Sequence, residues 1–208
     1  MKDVQTTLSK AVTFTGVGLH SGAPVTMEVH PAPADHGIVF LRSDVAPDVA
    51  RVPALWSAVV PSRLCTLIAN EAGTTVSTIE HVMAALAGCG VHNALIRIDG
   101  PEVPILDGSS VPFVDGVLDA GLAGQGVPVR AIRILRPVEV RAGDAIARLD
   151  PSDMLEIDFH IDFADAAIGR QRKTLNMSNG AFVRELCNSR TFCRQQDVDA
   201  MRAGGLAL

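Results

Sequence analysis

The sequence predicts an α+β protein of two domains, each with a β-sheet packed on helices. Strand-like alternation of apolar and polar residues comes first in each half of the chain, and helical spacing follows it. A glycine-containing stretch between the halves, AGQGVP (residues 123–128), is typical of an interdomain linker. We therefore place the first domain at residues 1–125 and the second at residues 128–208.

The strands of the first half are predicted from alternation and from the turns between them. VTMEVHP (residues 25–31) alternates as a half-buried strand does. GVGLHSG (16–22) precedes it with three glycines, which is turn chemistry. GIVFLRSD (37–44), TLIANEAG (66–73) and HNALIRIDG (92–100) are predicted as further strands that end at turns.

The first helix is predicted within STIEHVMAALAGCG (residues 77–90). From Ile79 onward its apolar residues follow helical spacing, and Gly88 or Gly90 supplies the C-terminal stop. A loop rich in proline and glycine, PEVPILDGSSVPF (101–113), is long enough to suggest a functional surface. A second helix follows over residues 111–121, with Ser110 or Ser109 as its cap, Pro112 in its first turn and Gly121 as its stop.

The second half begins with a predicted hairpin over residues 131–151, turning at Ala142-Gly143-Asp144. MLEIDFHIDF (154–163) alternates strongly, which predicts one apolar and one polar face. Ser178 is expected to cap a helix through Leu186, and a last helix is predicted near residues 195–204.

Composition excludes several classes of protein. The formal net charge is -5, and no basic stripe of the kind used by general nucleic-acid binders is present. No apolar leader and no apolar run of about 18 residues is found, so neither a signal peptide nor a membrane span is predicted. The four cysteines lack C-x-x-C spacing, as in a protein of a reducing compartment. We expect a cytoplasmic protein without a nucleic-acid partner.

The adjacent pair Glu80 and His81 at the start of the first helix has two interpretations. Ser77-x-x-Glu80 matches a capping box, in which the acid accepts a hydrogen bond from the backbone of the cap residue. Alternatively, the histidine binds Zn²⁺ and the carboxylate takes a proton from the bound water, whose pKa zinc lowers to about 7. The residues alone leave both open, because no second histidine lies at metal-ligand spacing.

Several motifs in order resemble the UDP-3-O-acyl-N-acetylglucosamine deacetylases of lipid A biosynthesis, over essentially the whole chain. They are GVGLHSG, SRLCT, VSTIEHVMAALAG, PEVPILDGSSVPFV, IDFHIDF, NGAFVRELCNSRTF and RAGGLAL. The resemblance implies a zinc-dependent amidase that removes acetate from UDP-3-O-acyl-N-acetylglucosamine. It also implies two α+β domains with the helices sandwiched between two sheets. We expect a monomer that takes this small-molecule substrate.

The resemblance implies a role for nine residues. His81 matches a zinc ligand, Glu80 the general base, and Thr191 a hydroxyl that stabilises the oxyanion. Phe163 matches an aromatic residue that stacks on uracil, although from sequence alone it would be a core residue, and Asp162 matches a polar contact to the nucleotide. The residues implied around the acyl-glucosamine pocket are Leu64, Cys65 and Phe192. His20 matches a histidine near the active site.

The sequence departs from the family's pattern in one respect. The resemblance implies two more zinc ligands in an H-x-x-x-D motif and a general-acid histidine, and none of these occurs in the 208 residues. We therefore expect an incomplete second domain and little or no activity of this polypeptide alone. The alternative function is a non-catalytic protein that binds a nucleotide sugar or an acyl chain.

Overall fold

The computed structural model describes residues 4–62, 64–178 and 180–205, and it is an α+β fold. The strands of the first half are β1 (Val4–Leu8), β2 (Val12–Val17), β3 (Pro24–Pro31), β4 (Ile38–Arg42), β5 (Arg51–Pro53), β6 (Val59–Val60), β7 (Leu67–Ala69), β8 (Thr75–Val76) and β9 (Ala94–Ile98). They are followed by β10 (Leu122–Pro128), β11 (Val138–Ala142), β12 (Ala145–Leu149), β13 (Glu156–Asp162) and β14 (Arg170–Asn176). The helices are α1 (Glu80–Gly88), α2 (Val111–Ala120), α3 (Ala181–Glu185) and α4 (Gln195–Ala203), with a short 3₁₀ turn at Trp56–Ala58.

A five-stranded sheet in the order β2-β3-β9-β4-β5 forms the framework of the first half. Its pairings are antiparallel except that β4 and β9 run parallel. Val25, Met27 and Val29 of β3 are buried on one face. The strand predicted from VTMEVHP is therefore confirmed, as are those predicted over residues 37–44, 66–73 and 92–100.

The hydrophobic core lies between this sheet and helices α1 and α2. Helix α1 buries Val82, Ala85 and Leu86, and the ring of Phe113 in α2 meets Phe14 of β2 edge to face at 5.0 Å between centroids. The large core residues come from the part of the chain before residue 121, joined by Phe182 and Cys187. The division into two domains and the position of the helices between two sheets stay predictions.

The stretch predicted to be a linker is instead strand β10, which pairs antiparallel with β1. A buried amide network holds it in place. The Gln125 side chain accepts a hydrogen bond from Asn93 at 2.8 Å and donates one to the Ala32 carbonyl at 2.8 Å, and Asn93 also donates to Gln5 at 2.9 Å. The prediction of a linker was wrong. It was based on the glycines of this stretch, whereas the stretch is a paired strand whose one long polar side chain is held by these hydrogen bonds.

The second half contains the predicted hairpin, formed by β11 and β12 with Gly143 in the turn at a φ of 59°. MLEIDFHIDF forms β13, which pairs with the unpredicted strand β14. Its expected apolar face is not buried, since Ile157 is 40% and Phe159 is 59% exposed. The Ser178 hydroxyl does not cap α3, whose N-cap residue is Gly180 in a left-handed conformation.

The end of β4 is fastened to β8 through a buried guanidinium. Arg42 donates two hydrogen bonds to the Asp44 carboxylate, at 2.8 and 2.7 Å, and a third to the carbonyl of Thr75 at 2.7 Å. These bonds lower the pKa of Asp44 below its ordinary value, although burial opposes them. The contact to Thr75 fixes the strand that leads into the start of α1.

Helix α2, with 10 residues, is the longest of the described helices. Within residues 4–62, 64–178 and 180–205 we find no helix with the length and apolarity to cross a membrane.

We predict that Gly116→Ala lowers the free energy of unfolding by about 1–3 kcal/mol. Glycine to alanine within a helix normally stabilises a protein by about 1 kcal/mol. Here a Cβ would lie 2.6 Å from the Phe14 ring, which is held against Phe113. Urea unfolding followed by circular dichroism measures the change. Asp119→Ala, on the exposed side of the same helix, is the control and should change stability by less than about 0.5 kcal/mol. A stabilised Gly116→Ala protein would contradict the close approach.

We predict that Asp44→Asn reduces the loss of stability on acidification. Because the pKa of Asp44 is lowered in the folded state, its ion pair contributes stability above the ordinary pKa of about 3.9. That contribution is lost as the pH falls through the lowered value. Urea midpoints at pH 7 and pH 3 should therefore differ less in Asp44→Asn than in the wild type. Asp48→Asn removes an exposed carboxylate nearby and should keep the wild-type difference; equal differences in all three proteins would refute the assignment.

Candidate functional site

The Glu80 carboxylate is used outside its own helix. Helix α1 begins at Glu80, and its N-cap residue, Ile79, makes no side-chain capping bond. The Glu80 Oε2 accepts a hydrogen bond from the backbone N–H of Thr66 at 3.0 Å, and the Ser77 hydroxyl donates to the carbonyl of Pro101 at 3.2 Å. The capping-box interpretation is therefore wrong, because both of its side chains have partners in other segments.

The bond to Thr66 brings the predicted pocket residues next to the Glu80 carboxylate. Leu64 is 48% exposed, and Cys65 is half-buried with its Sγ 3.4 Å from the Ser62 hydroxyl. Both directly precede Thr66 in the chain. The backbone hydrogen bond of Thr66 thus fixes the segment that contains Leu64 and Cys65 to the start of α1.

His81 is tied to the loop before α2 through its backbone. The Ser110 hydroxyl donates to the His81 carbonyl at 3.0 Å, and the Ser110 backbone N–H donates to the Cys187 carbonyl at 2.9 Å. Ser110 is buried, and through these two hydrogen bonds it joins α1 to the segment that follows α3. Of the two serines expected to cap α2, Ser110 does not, since its hydroxyl bonds His81, whereas the Ser109 hydroxyl accepts a hydrogen bond from the backbone N–H of Val111, the first residue of α2, at 3.1 Å.

Thr191 is held by the same loop. Its backbone N–H donates to the Gly108 carbonyl at 3.1 Å, and its neighbour Arg190 lies 3.4 Å from the Asp107 carboxylate. Hydrogen bonds from the Ser109 hydroxyl and backbone, and the nearby Arg190 charge, lower the pKa of Asp107. The loop of residues 107–110 therefore contacts both the segment of Thr191 and the backbone of His81.

Phe163 and Phe192 form an aromatic pair, with ring centroids 5.7 Å apart and planes tilted by 58°. Phe163 follows β13, and its backbone N–H donates to the Gly169 carbonyl at 3.0 Å. Phe192 is 58% exposed and directly follows Thr191. Asp162 is exposed at the end of β13. The structure thus brings together two aromatic residues that lie 29 positions apart in the sequence.

His20 has an unusual environment. Its backbone N–H donates to Glu102 Oε1 at 2.9 Å, and the next backbone N–H, of Ser21, donates to Glu102 Oε2 at 2.9 Å. Both ring nitrogens of His20 are buried, and neither has a hydrogen-bond partner in the described part of the chain. Glu102 was not predicted from the sequence, although an acidic residue between two prolines of the predicted functional loop was a signal that could have identified it.

Zinc needs several ligands, and catalytic sites use three protein ligands and an open position. Among the residues that the structure describes, no three His, Cys, Asp or Glu side chains are grouped so that they could hold a metal ion. Those residues therefore do not form a zinc site by themselves, and His81 could supply one ligand of such a site.

Comparison with known proteins identifies the family. The family model described as LpxC: UDP-3-O-acyl N-acetylglycosamine deacetylase matches residues 5–208. The UDP-3-O-acyl-N-acetylglucosamine deacetylase of Shewanella sp. (strain W3-18-1) is 45% identical over 206 residues, which cover 98% of this chain and 67% of the relative. That of Anaeromyxobacter sp. (strain Fw109-5) is 47% identical over 203 residues, covering 98% of this chain and 66% of the relative. The chain spans about two thirds of the length of these curated relatives, and it belongs to the UDP-3-O-acyl-N-acetylglucosamine deacetylase family.

Proposed function

We propose that the chain takes part in the hydrolysis of the acetamide of UDP-3-O-acyl-N-acetylglucosamine, a deacetylation step of lipid A biosynthesis. The substrate is the one that the names of its relatives specify. Zinc is the proposed cofactor, with His81 as one ligand, and the cytoplasm is the proposed location. We propose that the protein acts as a monomer.

One structural observation supports the proposal in addition to family membership. The loop of residues 107–110 hydrogen-bonds His81 through the Ser110 hydroxyl and Thr191 through the Gly108 carbonyl. Three residues of one loop thus connect a proposed metal ligand to a proposed oxyanion donor that is 110 positions away. A bond network of this kind is what an acyl-transfer site requires, because its groups must be held relative to one another.

In the proposed reaction Glu80 is the general base. The oxygen of a water molecule attacks the acetyl carbonyl carbon while the Glu80 carboxylate accepts a proton from that water. The bond from carbon to nitrogen then breaks as the nitrogen takes up the proton that Glu80 accepted, and the products are acetate and the free amine of the glucosamine. A zinc ion, when bound, supplies Lewis-acid polarisation and lowers the pKa of a coordinated water to about 7.

The remaining site residues have proposed roles in stabilisation and binding. Thr191 would donate its hydroxyl to the oxyanion that develops during attack, where a fixed donor is most effective. Phe163 would stack on the uracil ring, with Asp162 as a polar contact to the nucleotide. Leu64, Cys65 and Phe192 would surround the acyl-glucosamine, and His20 would contact the substrate through its unpartnered ring.

We predict that Glu80→Gln lowers the rate of acetate release by about 10²–10⁴-fold with little change in substrate binding. The amide retains an oxygen that can accept the Thr66 hydrogen bond, so the local fold should survive. Coupled detection of acetate measures the rate, and equilibrium dialysis with labelled substrate measures binding.

Glu71→Gln, which changes an exposed carboxylate on a turn, is the matched control and should retain wild-type activity. Equal acetate release by Glu80→Gln and the wild type would refute the assignment of Glu80 as general base. A wild-type protein that does not bind the substrate would refute the proposal, and one that binds it without releasing acetate would favour the non-catalytic binding protein.

We predict that Thr191→Val lowers kcat by about 10²–10³-fold, because the valine has the same shape but no hydroxyl. Thr191→Ser retains the hydroxyl and should retain most of the activity. The backbone bond from residue 191 to Gly108 is available in both variants, so a difference between them reports on the hydroxyl alone. Equal rates for the two variants would remove Thr191 from the oxyanion site.

A further inference from the structure

A buried carboxylate joins the His20 turn to the segment before α1. Glu102 is 4% exposed, and its Oε1 accepts hydrogen bonds from the His20 backbone at 2.9 Å and from the Thr78 hydroxyl at 3.0 Å. Its Oε2 accepts a bond from the Ser21 backbone at 2.9 Å. A single side chain therefore contacts two segments that lie about 57 residues apart in the sequence and that both lead into proposed site residues.

The chain is shaped around this carboxylate on both sides. At Gly18 a Cβ would overlap the Glu102 carboxylate and the Ser21 hydroxyl, so the turn requires glycine. Thr78 is almost fully buried and adopts a left-handed φ of 57°, which is unfavourable for a β-branched residue. Such a conformation persists only where the surroundings enforce it. The bond from the Thr78 hydroxyl to Glu102 is one such constraint, two residues before Glu80.

The charge state of Glu102 agrees with this arrangement. Burial alone would raise the pKa of the Glu102 carboxyl, but hydrogen bonds from Ser21, His20 and Thr78 outweigh burial and lower it. An ionised carboxylate accepts bonds at both oxygens and donates none, which matches the donors around it.

Resting on the proposed function, we infer that Glu102 is a positioning residue, which fixes the His20 ring relative to Glu80 so that both can act on one substrate. Both nitrogens of that ring are buried and have no hydrogen-bond partner in the described part of the chain, and buried polar groups left unpaired in a native structure often have a functional role. Glu102 itself is engaged by three donors and acts through these neighbours.

Glu102→Gln tests the inference by presenting an amide N–H₂ to one of the existing donors. We expect kcat to fall about 10²-fold with KM nearly unchanged, because small displacements of reacting groups cost that much. A double-mutant cycle adds a sharper measurement. His20→Ala should lower kcat/KM in the wild-type background but change it less than about twofold in Glu102→Gln, since the two residues act as one unit. Additive effects would overturn the inference.

Thr78→Val provides a second route if Glu102→Gln does not fold. It removes one donor to the carboxylate and should lower kcat about 10-fold, again with loss of the His20→Ala effect. Ser77→Ala is the matched control, because its hydroxyl bonds the Pro101 carbonyl and not Glu102; its kcat should be within about twofold of wild type. Equal kcat values for Thr78→Val and Ser77→Ala would overturn the inference.

Amide hydrogen exchange separates this inference from the proposed function. In Glu102→Gln or Thr78→Val the backbone N–H groups of His20 and Ser21 should exchange at least about 10-fold faster, at an unchanged global urea midpoint. Unchanged protection would refute the positioning role even in an active enzyme. A wild-type protein that does not bind the substrate would refute the proposed function, and the exchange rates would then decide the positioning role alone.

Discussion

The backbone hydrogen bonds of residues 101–110 are the interactions on which the arrangement of the candidate site depends. Ser77 exchanges bonds with Pro101 and Val103, and Ile105 donates to Val17 at 3.0 Å. The same segment then contacts the residues after α3. This segment fixes three parts of the chain relative to one another: the start of α1, the turn that contains His20 and the segment that contains Thr191. An extended stretch without a regular element of its own therefore organises three parts of the chain.

Backbone strain is concentrated along this segment and beside it. Of the three non-glycine residues with positive φ in the described chain, Thr78 precedes α1 and Leu106 lies within the segment. Conformations of this kind cost free energy and require enforcement by neighbouring contacts. Here the enforcement is visible, since Thr78 is bonded to a buried carboxylate and Leu106 packs against the hydrophobic core. Both strained residues thus lie in the connecting segments around α1, where these contacts hold them in place.

The local pattern of apolar residues was sufficient to predict the elements that bury one face. Strand β3 and helix α1 were predicted for this reason. It was insufficient where a side chain is satisfied by a distant partner. Glu80 and Ser77 have capping-box spacing, but their side chains form hydrogen bonds with Thr66 and Pro101 instead. A rule based on local sequence does not include these distant partners. Strand β10 was missed because its polar residue Gln125 is compensated by Asn93, 32 positions away. Apart from the Glu80-His81 pair, the site residues were assigned from resemblance, whereas the bonds by which residues 107–110 connect them are visible only in the folded structure.

The pairing of β1 with β10 has a consequence for the order in which the chain folds. Val4 lies opposite Pro128 and Leu8 opposite Leu122, so β1 has no partner strand until more than 110 further residues have been synthesised. Strand β9 likewise inserts between β3 and β4, which cannot adopt their final spacing before it arrives. Contacts of such high sequence separation form late because closing the intervening loop costs entropy. The amide network around Asn93 thus closes only once β10 has been synthesised, and until then β1 has no partner strand.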